Sequence, residues 1–377
     1  QAVVLLLIQV GGLGLVTLTS FFALAMRRRM GFRDLRLLGE SVSADGYDQA
    51  KSVLKIVVGL AAMFEGIGIL LLLFAFVPQF GLEGIWVSVF TAISAFCNAG
   101  FDLFGRFGDY SSLVPYVNNY YVQAVIMFMI MAGGLGFMVW VELAEYRKKR
   151  RLSLHAKVVL QFSVIFWVGG AVLLALLEWS NPRTIGGLSV PGKIMAALFQ
   201  SVSTRTAGMN TIDLAACSPI SKLLMSVLQF IGAAPGSTGG GVKVTTFAVL
   251  ILTIRSVAQG RDDCVIGGHH IESKTVYRAL TIIVIGAVAA FGSAVVVYYN
   301  TAETVSVIDC IFESCSAFGT VGLSVGVTGQ LNTGAKLLYM ACMFMGRVGP
   351  VSLAISLTAK PDDNKRKVLP VGHINVG

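Results

Sequence analysis

The chain has 377 residues, of which 55% are hydrophobic and only 13% are charged, and its formal net charge is +9. Soluble domains usually carry about 25% charged residues, so this composition excludes an ordinary soluble protein and predicts a membrane protein. The positive charge does not indicate nucleic-acid binding, because the basic residues form short clusters between long apolar segments.

Long apolar segments alternate with short ones along the chain. A helix needs about 20 apolar residues to cross a hydrocarbon core. The predicted spans are residues 2–26, 53–77 (ending at Pro78), 117–141, 158–177, 220–254, 276–298 and 337–357, and the span 220–254 is interrupted by the sequence GAAPGSTGGG. The segments 85–96, 194–204 and 305–318 are too short to cross, and they predict re-entrant helices that each lead into a loop.

The loops after the short segments repeat one another. Residues 312–322, FESCSAFGTVG, match residues 90–100, FTAISAFCNAG, and a weaker third copy ends at Gly208. The matched glycines Gly100, Gly208 and Gly322 stand roughly 110 residues apart, which suits a duplicated membrane unit. We call residues 98–101, 206–209 and 320–323 the first, second and third signature loops. A non-helical backbone at membrane depth must be buried in protein or line a watery path, so these loops predict a pore.

The signature loops contain the candidate ion-binding residues. A selectivity filter turns backbone carbonyls toward the ion in place of water, and glycine supplies the required backbone freedom. An ordinary turn would also use glycine, but repetition after a matched short helix favours a filter. The candidates are Asn98, Ala99, Gly100 and Phe101, then Thr206, Ala207, Gly208 and Met209, then Thr320, Val321, Gly322 and Leu323.

These repeats predict an all-α polytopic membrane protein with four pseudo-symmetric helix–pore loop–helix units around one central cation pore. Residues 1–30 are expected to be the second helix of unit 1, and residues 50–151 to form unit 2. Residues 155–261 would form unit 3 with a broken last helix, residues 272–360 unit 4, and residues 361–377 a short cytoplasmic tail. The first helix and pore loop of unit 1 are expected upstream of Gln1, because GGLG at residues 11–14 recurs at residues 133–136. We interpret these glycines as sites of close helix packing.

Charge placement predicts the orientation in the membrane. Basic clusters follow the second span of the units, as at residues 27–29, 147–151 and 365–367. The positive-inside rule then places the unit junctions and the C-terminus in the cytoplasm. Each short helix would enter from outside and direct its C-terminal end, which carries partial negative charge, at the midplane. That polarity suits a cation.

The motifs together resemble the Trk/Ktr/HKT superfamily of potassium transporters. The resemblance rests on the four units, the signature loops, the interrupted span and Arg347, and it covers nearly the whole chain. Within the superfamily the short tail is most similar to the KtrB-type pore subunit of bacterial Ktr systems. The resemblance implies K+ (Na+ is possible) as the transported ion at the filter carbonyls, with no covalently bound cofactor. It also implies a homodimer in the bacterial inner membrane, on a cytosolic nucleotide-binding ring of the KtrA (RCK) type.

The resemblance also implies a gate beneath the filter. We call residues 236–241 the glycine-rich loop; it lacks the spacing of a phosphate-binding loop, and a flexible kink is the alternative interpretation. We expect this interruption in the third unit only. Arg347 is expected near the middle of its span, too deep to reach the membrane surface, where it would pair with the loop or repel cations. The predicted gating residues are Gly236, Ser237, Thr238, Gly239, Gly240, Gly241, Lys243 and Arg347.

Several residues and one function keep a second interpretation. Glu65 either hydrogen-bonds a neighbouring helix or has a role in transport, and Asp309 and Glu313 either set a negative outer potential or anchor a helix N-terminus. The alternative function is a secondary transporter of another class, whose glycine-rich re-entrant loops bind an organic anion through helix N-termini. The spans contain no nucleophile–base pair or metal-ligand spacing, so we do not expect an enzyme.

Overall fold

A computed structural model describes residues 1–14, 47–108, 110–261, 264–301 and 304–349; of residues 13, 47–55, 148 and 149 it describes only the backbone. The basic clusters at residues 27–29 and 365–367 lie outside the described residues. Over the described part, the α-helices are α1 (Ala2–Leu13), α2 (Tyr47–Phe80), α3 (Glu83–Phe96), α4 (Tyr120–Gly134), α5 (Phe137–Lys149), α6 (Leu154–Glu178), α7 (Val190–Ser203), α8 (Pro219–Phe230), α9 (Val244–Ala258), α10 (Ser273–Asn300), α11 (Val307–Gly319) and α12 (Thr333–Val348).

Three of these helices, α2, α6 and α10, are long and apolar enough to cross a membrane. Large apolar side chains point away from the bundle, such as Phe74 on α2, which is 77% exposed, and Leu176 on α6, which is 70% exposed. Apolar side chains that face outward along a whole helix are stable in lipid rather than in water. These helices therefore form the lipid-facing layer.

The short helices α3, α7 and α11 lie inside this layer. Each packs against the long helix that precedes it, so that α3 contacts α2, α7 contacts α6, and α11 contacts α10. Each also packs against a helix from the preceding repeat, in the pairs α1–α3, α4–α7 and α8–α11. The phenylalanines that the sequence repeats, Phe90 with Phe312 and Phe96 with Phe318, are almost fully buried. The residues that the sequence repeats therefore lie on the interior face of the short helices.

Helix breaks are more widespread than the sequence predicts. The predicted span 117–141 consists of α4 and α5, which meet at an angle of 98°. Gly136 ends the preceding turn with a φ of 88°, a conformation that favours glycine. Gly14 after α1 and Gly349 after α12 have similar φ values of 86° and 98°. The expectation that only the third unit interrupts its second helix is therefore wrong.

Two smaller features depart from the expected boundaries. Pro78 lies inside α2, which continues to Phe80, so the helix does not end at the proline as predicted. A two-stranded antiparallel hairpin, β1 (Val265–Ile266) and β2 (His269–His270), joins α9 to α10. Its turn is Gly267-Gly268, both with positive φ as a tight hairpin requires.

Candidate functional site

The three signature loops share one backbone conformation. In each loop the glycine has positive φ, and so does the residue two positions before it. The values are 50° and 74° for Asn98 and Gly100, 79° and 81° for Thr206 and Gly208, and 53° and 94° for Thr320 and Gly322. A threonine is rarely found in this region, because its branched side chain collides with the backbone. Such strain persists only where the surroundings enforce it, and it is typical of functional sites.

The three loops meet at their glycines. A Cβ atom placed on Gly100 would lie 3.0 Å from the Cα of Gly208 and 2.9 Å from the carbonyl oxygen of Ala207. A Cβ atom on Gly208 would overlap the carbonyl oxygen of Val321, and one on Gly322 would lie 3.8 Å from the Cα of Gly208. Backbone therefore contacts backbone here, with no side chain between the loops. We call this contact between Gly100, Gly208 and Gly322 the glycine convergence. The carbonyl oxygens of Ala207 and Val321 also lie there.

Serine side chains tie the loops to the short helices. Ser94 donates a 2.6 Å hydrogen bond to the carbonyl oxygen of Phe101, and Ser203 donates one to that of Met209. In the third loop the direction reverses, and Gly322 N–H donates to Ser316 at 3.2 Å. The Phe101 and Met209 carbonyls are thus bonded to their own helices. Sequence reasoning omitted these serines, although Ser94 and Ser316 occupy matched positions in the repeat.

A side-chain hydrogen bond also joins two loops directly. Asn98 Nδ2 donates to Thr206 Oγ1 at 3.2 Å, and both side chains are buried. The Asn98 Oδ1 atom is buried without a hydrogen-bond partner among the described residues. A buried, unpaired acceptor beside the loop backbone adds to the oxygen atoms available at this point.

The glycine-rich loop lies directly against the second and third signature loops. It follows α8 and is closed by a stem in which Gly232 N–H donates to Val242 O at 2.8 Å. A Cβ atom on Gly239 would overlap the Thr206 hydroxyl, and one on Gly240 would overlap the Thr320 hydroxyl. Only glycine allows this approach. The loop therefore blocks the space on one side of the glycine convergence.

Neighbouring helices satisfy the backbone of the glycine-rich loop. Thr238 N–H donates to Gly133 O at 3.2 Å, and its hydroxyl donates to Phe96 O at 3.0 Å. Gly241 N–H donates to Gly346 O at 3.1 Å, and Phe137 N–H donates to Gly236 O at 3.0 Å. Because lipid offers no hydrogen bonds, such partners are what permit a non-helical segment at this depth. The partners lie on α3, on α12 and on both sides of the α4–α5 break.

Two cationic side chains bind the same loop. Lys243 Nζ donates to Gly239 O at 2.6 Å, and Arg347 donates to Thr238 O. Arg347 also donates to Gly11 O, and to Gly12 O at 3.3 Å, so it joins α12 to α1. It lies in the last turn of α12, and the predicted span 337–357 extends beyond Gly349, the last residue described in this part of the chain. The motif GRVG at residues 346–349 aligns with GGLG at 11–14 and 133–136, which places Arg347 where the other copies have glycine.

Arg205 is a buried cation beside the second signature loop, and sequence reasoning missed it. Its side chain lies between the second signature loop and the glycine-rich loop stem, donating to Gly232 O at 3.0 Å and to Ser163 O at 3.5 Å. The guanidinium stacks near the rings of Phe166 and Trp167, at 5.4 and 5.7 Å from their centroids. Among the described residues it has no carboxylate in ion-pair contact, and the residue is only 4% exposed. The available signal was a charged residue directly beside a signature threonine.

Acidic residues act mainly as hydrogen-bond acceptors. Glu313, only 4% exposed, accepts hydrogen bonds from the segment after the third signature loop, at 2.5–3.1 Å. Asp309 lies in the first turn of α11 and pairs with Lys222 at 2.7 Å. Glu65 accepts two hydrogen bonds of 3.0 Å from Gln9 on α1, which is the helix-to-helix contact that the sequence left open.

One carboxyl lies just beyond the first signature loop. Asp102 follows Phe101, and burial raises the pKa of its carboxyl above the ordinary value. The N–H of Phe104 donates a 2.9 Å hydrogen bond to Asp102, which offsets part of the rise in pKa. The segment that directly follows the first signature loop therefore carries a carboxyl that is a weaker acid than an ordinary aspartate.

Comparison with known proteins identifies relatives over the full length. A family model described as TrkH, cation transport protein, matches residues 1–367. The chain is 32% identical to the Ktr system potassium uptake protein B of Bacillus subtilis, over 100% of this chain and 83% of that protein. It is 35% identical to the protein of the same name from Vibrio alginolyticus, over 94% and 77% of the two chains.

Two further matches concern ion choice and fold. The potassium/sodium uptake protein NtpJ of Enterococcus hirae is 33% identical, over 96% of this chain and 79% of that protein. The crystal structure of the potassium transporter TrkH from Vibrio parahaemolyticus superposes with a TM-score of 0.68, over 93% of this chain and 70% of that one, at 19% identity. This structural match confirms the predicted fold class, a helical membrane protein with pore-loop units.

Proposed function

This chain belongs to the TrkH family of cation transport proteins, and on that premise we propose that it is the membrane-embedded, ion-translocating subunit of a potassium uptake system. Relatives named potassium uptake proteins match it at 32% and 35% identity over most of both chains. The observation that carries the proposal is the convergence of Gly100, Gly208 and Gly322, where backbone meets backbone without side chains. The protein acts as a transporter rather than an enzyme.

Potassium passes the filter by exchanging water for backbone carbonyls of the signature loops. The Ala207 and Val321 carbonyls support this role, since both lie at the convergence. The helices α3, α7 and α11 end at these loops, so their C-terminal dipoles add partial negative charge there. The same polarity argues against the alternative of organic-anion binding. Sodium is a second candidate ion, because one relative is named a potassium/sodium uptake protein.

The glycine-rich loop, with Lys243 and Arg347, forms the gate. In the described conformation it fills the space beneath the second and third signature loops and is tied to α3, α12 and the α4–α5 break. Two positive charges beside it oppose a permeating cation. Displacement of α9, which follows Lys243 directly, would draw the loop away and open the path.

The proposal extends to the surrounding assembly. The protein lies in the bacterial inner membrane with its C-terminus in the cytoplasm, as the positive-inside rule requires. It forms a homodimer on a cytosolic nucleotide-binding ring of the KtrA type; two relatives are named as proteins of a Ktr system. Inward K+ movement is driven by the membrane potential, which supplies about 2.3 kcal/mol per charge for each 100 mV.

Isotope uptake tests the transported species. Cells that lack their own potassium uptake systems would express the chain, and entry of labelled rubidium would be compared with entry of a labelled organic anion. We expect rubidium uptake that competes with external potassium. Anion uptake without rubidium uptake would replace the proposal with the alternative transporter class.

A further inference from the structure

A cavity of about 360 Å³ lies between α6, α9, α10 and the β-hairpin. It is found at the end of α6 and α10 where both begin, the end that the proposed orientation assigns to the cytoplasm. Its walls are mostly apolar, and its volume suits one small organic group or one lipid chain segment. The apolar lining includes Leu154, Val158, Val249, Ile266, Ile271 and Ile282.

Polar and charged residues also line the cavity. Arg278 on α10 and His155 on α6 line the cavity, and both residues are exposed. Within the described part of the chain, Arg278 makes no hydrogen bond or ion pair. Thr245 and Thr246, on the first turn of α9, also line the cavity. A cation at the mouth of an apolar cavity suits a ligand with an anionic head and an apolar tail.

We propose that this cavity binds an anionic phospholipid, with the phosphate held by Arg278 and the acyl chain against the apolar walls. The position supports a lipid, because the cavity lies at the level where two membrane spans begin and headgroups are found. A free phosphate would leave the apolar walls in contact with water. An uncharged apolar ligand would leave Arg278 unpaired.

The bound lipid would affect the gate by contacting α9. Thr245 and Thr246 follow Lys243 by two and three residues, and Lys243 binds the glycine-rich loop. A lipid wedged between α9 and α10 therefore favours one position of the helix that carries the gate. This regulatory effect rests on the function proposed above, whereas lipid binding itself does not.

Native mass spectrometry of the whole protein tests binding independently of transport. The protein would be reconstituted in vesicles of phosphatidylcholine with a minority of phosphatidylglycerol, extracted, and its retained lipids counted. We expect retention of phosphatidylglycerol over phosphatidylcholine, and about a tenfold loss in Arg278→Gln, since charge-assisted phosphate bonds are strong. Lys274→Gln on the same helix is the matched control, because Lys274 is exposed but does not line the cavity.

A second variant and a competitor separate the remaining explanations. Thr275 lines the cavity, so Thr275→Trp fills part of it without changing charge and should also reduce lipid retention. Equal loss in Lys274→Gln would mean general surface attraction and overturn the proposal, as would displacement of the lipid by inorganic phosphate. In the same vesicles, rubidium uptake should differ with and without phosphatidylglycerol in the wild type but not in Arg278→Gln. Retained lipid with unchanged uptake would overturn the link to the gate alone.

Discussion

The guanidinium of Arg205 donates a 3.0 Å hydrogen bond to the carbonyl oxygen of Gly232. Arg205 directly precedes the second signature loop, and Gly232 begins the stem of the glycine-rich loop. The bond therefore connects the second signature loop to the stem of the glycine-rich loop through one buried side chain.

Replacing this side chain should affect both elements. In Arg205→Gln the glutamine side chain is too short to reach Gly232. The Gly232 carbonyl loses its partner, which should lower the free energy of unfolding by about 1–3 kcal/mol. We also expect a several-fold lower preference for potassium over sodium. Competition uptake with both ions, with thermal unfolding in parallel, measures these effects. Arg183→Gln, in an exposed loop, is the control; lower stability with unchanged ion preference would limit Arg205 to a structural role.

Serine substitution of the signature glycines should lower ion preference unequally. A Cβ atom on Gly208 would overlap the Val321 carbonyl, whereas one on Gly322 has 3.8 Å to its nearest neighbour. Both glycines have positive φ, so either serine adds strain of about 1–3 kcal/mol. Gly208→Ser should therefore reduce the potassium-to-sodium uptake ratio about tenfold, and Gly322→Ser less.

Gly329→Ser serves as the control for this pair. Gly329 follows the third signature loop and has open space around it, with no positive φ. Unchanged selectivity in both signature variants would remove the filter assignment.

The sequence predicts those features of the site that depend on local conformation, and it does not predict those that depend on residues far apart in the chain. The glycines Gly100, Gly208 and Gly322 were predictable, because a repeated local conformation leaves a repeated residue. The break at Gly136 was not, because the apolar run continues through it. Its cause includes the hydrogen bond from Phe137 N–H to Gly236 O, a partner about 100 residues away that no local pattern shows.

Buried charge shows the same limit. Arg205 stands among threonines in a stretch that reads as a polar loop, and only the tertiary contacts with Ser163 and Gly232 show that it is enclosed. Arg347 was found because a lone charge in an apolar run is conspicuous. Its contact with the carbonyl oxygen of Gly11 was not predictable from a local pattern, because the two residues are 336 positions apart in the chain.

Removing the Arg347 charge should raise basal uptake. Arg347→Gln loses the cationic contacts with Thr238 O and Gly12 O and the repulsion of a permeating cation, so a several-fold increase in rubidium uptake is expected. Ion preference should stay unchanged, because the signature loops are intact. Lys336→Gln, exposed at the start of the same helix, is the control. Failure of Arg347→Gln to reach the membrane would instead indicate a structural pairing.

Uptake should also depend on external pH through Asp102. Burial raises the pKa of this carboxyl, so its negative charge is lost at a higher pH than for an ordinary aspartate. As pH falls through the raised pKa, the outer potential becomes less negative and cation entry should slow by about twofold. Asp102→Asn should remove this decrease in uptake at low pH. Asp213 is exposed beyond the second signature loop, and Asp213→Asn should retain the decrease. If uptake by Asp102→Asn still decreased at low pH, the pH dependence would have to come from another titrating group.

The glycine-rich loop allows the most direct test of gating. The two sides of its stem are already adjacent, because a Cβ atom on Gly241 would lie 3.3 Å from the Cα of Gly232. Deletion of residues 236–240 can therefore reconnect the stem without pulling α8 away from α9. The deletion removes the contacts of Gly239 and Gly240 with the hydroxyls of Thr206 and Thr320.

We expect this deletion to raise basal rubidium uptake and to abolish its dependence on the cytosolic regulatory ring, while the preference for potassium over sodium is kept. The reason is that the carbonyls of Ala207 and Val321 lie where the signature loops contact one another, and among the described residues neither accepts a hydrogen bond from the glycine-rich loop. Uptake would be measured with and without the ring, alongside potassium–sodium competition. Gly240→Ala is the milder companion, since its methyl group would overlap the Thr320 hydroxyl and displace the loop without shortening it. Lost selectivity at unchanged basal uptake would mean that the loop supports the filter from below, because only a scaffold, and not a gate, fixes the positions of the carbonyls.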